Sequence, residues 1–242
     1  MTERERKLRR PAASDIVKNE WLHRVEAEYH SAAITQQLAL WLIQIGASPD
    51  LIRAGLRITS DELTHADLSH RVYVAAGGTA MPVLARETLG AKAAGGPLEH
   101  DVIRIATDVF CLGETVAVPL FKELRAVCTV PVARRALDRI LRDEVRHRDF
   151  GWTLLGWLLE TPAADEWRKL VTSGLPSYFE RLRRSYAPQH ARDRRELDVS
   201  NAMWGLMPPA KYAEVLRRTL ERDWVPRFAK LRIDASAAWG KS

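Results

Sequence analysis

Cysteine is nearly absent from this 242-residue chain; Cys111 and Cys128 are the only two. Two thiols make no disulfide framework, so a reducing, cytoplasmic setting is expected. No apolar run approaches the roughly 18–20 residues of a membrane span, so no membrane helix is expected. The N-terminus, "MTERERKLRRPAAS", is charged and leads into no apolar segment, so no secretory signal is expected either. Strict apolar/polar alternation is missing, and with it any convincing strand. There is no internal low-complexity tract. The remaining composition, 46% hydrophobic and 28% charged residues, is that of a globular protein long enough to bury a core.

The net charge is +6. Arginines concentrate in "RERKLRR" near the start and in "RLRRSYAPQHARDRR" at 181–195. Acidic residues are interspersed and no RNA-binding signature is present. The arginines therefore read as a solvated surface plus a flexible basic tail, 1–13, and a nucleic-acid partner is not expected.

What the chain does have is helical periodicity almost throughout. The pattern predicts helix 1 from about Ser14 to Ile45. Helix 2 follows, capped by Ser48 with Pro49 and Asp50 in its first turn, and ends at Gly77-Gly78. An irregular stretch, about 77–98, precedes helix 3, about 99–127. Thr129 is the expected cap of helix 4, about 131–160. Thr161 is the expected cap of a fifth helix, interrupted near "SGLP" and reaching about 186. A last helix covers about 209–232. The first four are long, roughly 40–48 Å at 1.5 Å per residue. Short, long and short connections predict an all-α fold: a ferritin-like four-helix bundle over 14–160, with a long crossover between helices 2 and 3. Extra C-terminal helices, 161–242, are expected to pack on it.

Each predicted hairpin ends in a helix carrying the same motif, Asp-Glu-x-x-His: "DELTH" at 61–65 and "DEVRH" at 143–147. On a helix, i and i+3 share a face, so Glu and His project together as two ligands for one metal. Helix 1 offers Glu26 and Glu28. Glu28 lies on the apolar stripe Val25, Ala32, Thr35, Ala39, Leu42; Glu26 lies on the polar stripe of His30, Gln37 and Gln44. In helix 3, Glu114 lies on the stripe Ile103, Thr107, Phe110, Cys111, Val118, Phe121. Buried unpaired charge costs several kcal/mol or more. Four carboxylates and two imidazoles on core faces can be neutralised together only by enclosing cations.

The expected metal ligands are therefore Glu28, Glu62, His65, Glu114, Glu144 and His147, the set that characterises di-iron and di-manganese four-helix proteins. Oxygen-rich ligands with two imidazoles suit iron or manganese better than zinc, and redox-active iron is the choice here. Asp61 and Asp143, each preceding a ligand Glu, read as carboxylate partners of the metal-bound imidazoles. Glu20-Trp21-Leu22-His23 has the same spacing, but its His points away from the stripe. His30, His70, His100 and His190 have no motif context. Cys111, one turn before Glu114, reads as a small apolar residue that could line the pocket.

With these residues in view, the portion from about 20 to 160 resembles the ferritin-like di-iron carboxylate superfamily. "RDEVRHRDFG" is similar to the fourth-helix segment of aldehyde-deformylating oxygenases. "EYHSAAITQQLALWLIQIGASPDLI", "DELTHADL" and "CLGETVA" look like an uncharacterised bacterial ferritin-like group. The resemblance implies two irons on the six ligands, with Glu62 or Glu28 and Glu114 or Glu144 as bridges, and O2 activation by the reduced pair. Some subtypes do not fit. Arylamine N-oxygenases carry a further His where Ile140 stands. Ribonucleotide reductase small subunits need a tyrosine near the metals, and Tyr29 lies about 100° from the face of Glu28. Rubrerythrins usually add a Cys-rich domain, and bacterioferritins often have a haem-binding Met where Leu63 stands.

The leading expectation is an O2-dependent non-haem di-iron oxygenase or oxidase. Its substrate would be a small organic metabolite and its reductant an external donor such as ferredoxin or a reductase. The alternatives are an iron-handling ferroxidase or storage-type protein and a di-iron tRNA hydroxylase. Small residues beside the ligands, Ala32, Thr35, Ala117 and Val118, should leave room for O2 and part of a substrate. Pro119 should kink helix 3 there. The stripe Tyr212, Val215, Leu216, Leu220, Trp224 should pack on the bundle and cover the end of the metal channel. A homodimer interface is the other use for it.

Overall fold

The computed structural model describes residues 13–186 and 199–240. The basic tail expected at 1–13, apart from Ala13, lies outside the described residues. So do the latter part of the Arg-rich stretch and His190. No strand occurs among the described residues, and none of their helices is long and apolar enough to cross a membrane.

Four long helices form the body: α1 (Asp15–Gln44), α2 (Pro49–Ala75), α3 (98–127) and α4 (Pro131–Leu158). Capping sets the first hairpin. The Ser14 hydroxyl accepts from the Val17 N–H, and the Ser48 hydroxyl accepts from Leu51. Gly46, with φ 70°, and Gly77, with φ 91°, supply the left-handed turns that end α1 and α2. The α4 start differs from expectation. Its N-cap is Val130, with no side-chain cap. The backbone N–H groups of Thr129 and Val130 both donate to the Met203 carbonyl instead. A long-range contact thus holds the chain at the start of α4, where a local Thr129 side-chain cap was expected.

Pairs across the helices fix their directions. Ser31 meets Glu62 while Ala39 faces Gly55, so α1 and α2 are antiparallel. Asp61 meets Arg146 and His65 meets Asp143, so α2 and α4 are antiparallel. Trp152 donates to Thr115, and Arg125 pairs with Asp138, so α3 and α4 are antiparallel. The start of α3 also packs on α1. Helices α2 and α3 therefore run the same way. The segment between them, with only a 3-10 turn at Arg86–Thr88, carries the chain back along the body.

Helix α3 is not a uniform α-helix. Ala106–Glu114 is a π segment between Leu98–Ile105 and Thr115–Val127. This departure from α geometry lies just upstream of Pro119, which stands inside the following α segment. Gly151 of α4 packs against this segment. A Cβ there would lie 2.5 Å from Phe110 Cβ and 2.8 Å from the Phe110 carbonyl carbon, so only glycine permits the approach.

The C-terminal third adds α5 (Ala164–Tyr186), α6 (Val199–Ala202), α7 (209–230, with a second π segment at Leu220–Trp224) and α8 (Ala235–Trp239). Helix α5 runs unbroken through Pro176. Its buried stripe, Val171, Leu175, Tyr178, Phe179 and Leu182, continues on both sides of the proline, and this packing outweighs the lost backbone bond. Thr161 does not cap it as expected; its hydroxyl donates to the Leu158 carbonyl and accepts from Trp167. Phe179, Trp204, Trp224 and Phe228 are fully buried in one hydrophobic cluster with Trp21, Leu42 and Leu137 of the long helices. Each such side chain contributes about 2–3 kcal/mol. Trp21 and Arg24 of α1 donate to the carbonyls of Trp204 and Gly205, which anchors this unit beside one end of α1.

Candidate metal centre

Glu28, Glu62, His65, Glu114, Glu144 and His147 are all buried, the two imidazoles completely. Helical phase explains five of these positions. Glu28 shares a buried stripe with Val25, Ala32 and Thr35 on α1. Glu62–His65 and Glu144–His147 are i,i+3 pairs on facing helices. Glu114 closes the π segment of α3. Glu26 is half-buried, and its carboxylate instead accepts from the Val83 N–H in the crossover.

The imidazoles lie side by side, with ring centroids 5.6 Å apart. Each turns Nδ1 toward carboxylates and Nε2 toward an Asp. His65 Nδ1 is 3.2 Å from Glu62, 3.7 Å from Glu144 and 3.9 Å from Glu28. His147 Nδ1 is 3.3 Å from Glu62 and 3.6 Å from Glu144. The Asp partners cross over: Asp143 lies 3.2 Å from His65 Nε2, and Asp61 lies 3.5 Å from His147 Nε2. Each motif thus contributes its Asp to the other motif's His. Arg146 donates to both Asp carboxylates, at 2.9 Å to Asp61 and 2.8 Å to Asp143, and Arg139 contacts both as well. Ser31 of α1 donates to Glu62 at 2.9 Å.

Two groups of side chains could each hold a metal ion, Glu28–Glu62–His65 and Glu62–Glu144–His147, with ligand atoms within 4.8 Å of one another. Glu62 belongs to both. Glu114 lies outside these groups but borders the same cavity as Glu28, Glu62 and Glu144. Neither ring nitrogen of His147 has a hydrogen-bond partner of good geometry, nor does Glu144 Oε2. Orphaned buried polar atoms are costly, and three together on a donor set of this kind fit a cation.

The electrostatics follow the same symmetry. Burial, reinforced by Glu62 and Glu144, pushes the Glu28 carboxyl well above its usual range. Burial and then Glu144 do the same to Glu114. Against the upward push of burial, His147 and His65 hold Glu62 below its ordinary value. Burial opposes charge on His147, yet Glu144 and Glu62 push it up to about 12. Asp143 is held at about 2, because hydrogen bonds from Arg139, His65 and Arg146 overcome burial. The protein keeps protons on the outer carboxyls and on the imidazoles, which a bound cation would displace.

A cavity of about 390 Å³ opens from the four glutamates. Ala117, Leu120, Phe121 and Leu124 of α3 give it an apolar lining, and Glu20, His23 and Arg24 of α1 also border it. Tyr186 at the end of α5 and Tyr212 of α7 border it. Of the small residues expected to leave room, Ala117 borders the cavity. Ala32 and Thr35 are packed in α1, and Val118 is half-buried elsewhere. Cys111 sits in the core within the π segment and is not among the residues lining the cavity. His23, expected to point away from the stripe, is exposed at the cavity mouth. His100 packs edge-on to Trp167. Sequence reading missed Ser31, Tyr186, Arg24 and the crossing of the Asp partners. Arg24 was open to detection, lying one turn before Glu28 on the same face.

Comparison with known proteins finds no matching family model, no matching curated protein and no matching solved structure.

Proposed function

We propose that the chain is a ferritin-like di-iron carboxylate protein that uses O2 to oxidise or oxygenate a small organic molecule. The observation that carries this reading is the pair of buried Glu–Glu–His groups that share Glu62. Glu62 would be shared by two cations held in these groups, with Glu28 on α1 in one of them and Glu114 on α3 bordering the same cavity. The antiparallel order of helices with a long crossover between α2 and α3 supports the ferritin-like assignment. Six oxygen and nitrogen donors favour iron over zinc, with manganese second. When bound, the two irons would supply reductive activation of O2, with electrons from an external donor such as ferredoxin or a reductase.

The chain's own residues do the rest. Asp143 accepts the Nε2 proton of His65, and Asp61 lies 3.5 Å from Nε2 of His147, so each ring turns Nδ1 toward the glutamates, where it can ligate. Arg139 and Arg146 hold the Asp143 carboxylate ionised and also pair with Asp61. The apolar α3 wall excludes water and packs the substrate against the glutamates. That cavity supports an oxygenase over an iron-storage protein, which has no need of an organic binding site beside the metals.

Anaerobic loading with Fe(II), followed by metal analysis, tests the reading. About two irons per chain are expected, with markedly fewer in His65→Ala and His147→Ala and no change in His30→Ala. Full metal binding by the His65/His147 double alanine variant would refute it. Glu114→Ala is expected to abolish the rapid O2-dependent optical change.

A further inference from the structure

We propose that the cavity is built to take an organic monocarboxylate, its carboxylate on Arg24 and its apolar body against the α3 wall. Arg24 is 7% exposed. Its guanidinium is held rigidly. It stacks on the Trp21 ring at 4.4 Å; Nε and Nη2 donate to Glu20, and Nη2 also donates to the Gly205 carbonyl. Nη1 is buried and makes no hydrogen bond of good geometry, with the Tyr212 side chain beside the guanidinium. A buried, unpaired guanidinium N–H is costly. Here it belongs to a residue that borders the cavity, so a ligand anion can complete its bonding.

The same cavity is lined by the apolar side chains of Ala117, Leu120, Phe121 and Leu124 as well as by Arg24. A ligand that uses both is polar at one end and apolar over the rest. Since Nη1 is the one guanidinium nitrogen left open, the matching polar group is a charged acceptor, and on an organic ligand a carboxylate supplies it. Arg24 and Glu28 are four residues apart on one helix, about 6 Å along the axis. An anion on Arg24 therefore presents the carbons near its carboxylate, rather than a distant chain end, to the glutamate cluster. The fate of those carbons rests on the oxygenase reading; the binding itself does not.

Calorimetric titration with hexanoate, hexanol and hexylamine tests this on metal-free protein and on protein loaded anaerobically with Fe(II). Hexanoate is expected to bind both forms saturably. Hexanol and hexylamine should bind about tenfold or more weakly, the loss expected for one charge-assisted hydrogen bond. Arg24→Met should lose hexanoate binding to the same extent while its far-ultraviolet circular dichroism is unchanged. Because Arg24 also ties α1 to Gly205, Ala117→Phe provides a second variant, which fills the cavity without touching the guanidinium and should likewise lose hexanoate. Equal affinity for hexanoate and hexanol would overturn the proposal. So would wild-type affinity in Ala117→Phe, or binding only to the iron-loaded form with no dependence on Arg24. Iron stoichiometry is read separately, so failure of the metal assignment and failure of the anion site are distinguishable.

Discussion

Gly151→Ala and Gly156→Ala make the same chemical change five residues apart on α4, and they should move stability in opposite directions. In an open helical position, alanine in place of glycine stabilises by roughly 0.5–1 kcal/mol, because glycine loses more backbone freedom on folding. At Gly156 an added Cβ meets nothing within 4 Å, so that gain should be realised. At Gly151 the added Cβ would lie 2.5 Å from Phe110 Cβ, 2.8 Å from the Phe110 carbonyl carbon and 3.1 Å from the Cys111 nitrogen. Two of these three atoms are backbone, so no rotamer change relieves the clash and the two helices must part. Overpacking of this kind costs about 1–3 kcal/mol, which outweighs the propensity gain. Urea denaturation of the metal-free variants should therefore separate their unfolding free energies by about 2 kcal/mol. Because Glu114 closes the same π segment, Gly151→Ala should also lower the iron stoichiometry, while Gly156→Ala should not. Equal stabilisation by the two substitutions would refute the close approach of α4 to the π segment.

Asp143 is held at about 2 against an ordinary 3.8. A depressed carboxyl stabilises the folded state above its unfolded value and loses that contribution as pH falls toward the folded one. Asp143→Asn should therefore cost about 2 kcal/mol at neutral pH and flatten the fall in stability below pH 4, as read by denaturant titration at several pH values. Glu114 behaves oppositely: its raised carboxyl destabilises the ionised form as pH rises above the ordinary 4.5. Glu114→Gln should raise the melting temperature of metal-free protein at pH 7 while removing O2 reactivity. Proton uptake by Glu28 and Glu114 competes with metal, so Fe(II) affinity should weaken as pH falls, with proton release on binding measured in weakly buffered solution.

Local pattern made much of the architecture legible. Ser14, Ser48 and Pro49 mark the first two helix starts because capping is chemistry of neighbouring residues. The phase of Glu28 against Glu26, and the i,i+3 spacing of Glu62–His65 and Glu144–His147, follow from the pitch of one helix. Burial of those side chains was readable from apolar neighbours on the same stripe. The expected cap at Thr129 gives way to the Met203 carbonyl, distant in sequence, which takes the backbone N–H groups of Thr129 and Val130, whereas the Thr161 hydroxyl is engaged locally by the Leu158 carbonyl and the Trp167 indole. The expected break near Pro176 fails because the α5 stripe packs on both sides of the proline.

The sequence by itself determined which residues share a helix face, because pitch and capping act over a few residues of one chain. Only the tertiary structure decided what those faces meet. It brings Asp61 to His147 and Asp143 to His65, since antiparallel α2 and α4 cross each motif's Asp to the other's His. It sets the π segment of α3 against Gly151, and it carries Tyr186 and Tyr212 from the C-terminal helices to the cavity beside Glu28 and Glu114. Each of these depends on the separation and direction of different helices, which is settled by packing of the whole core and leaves no trace in the spacing within any one of them.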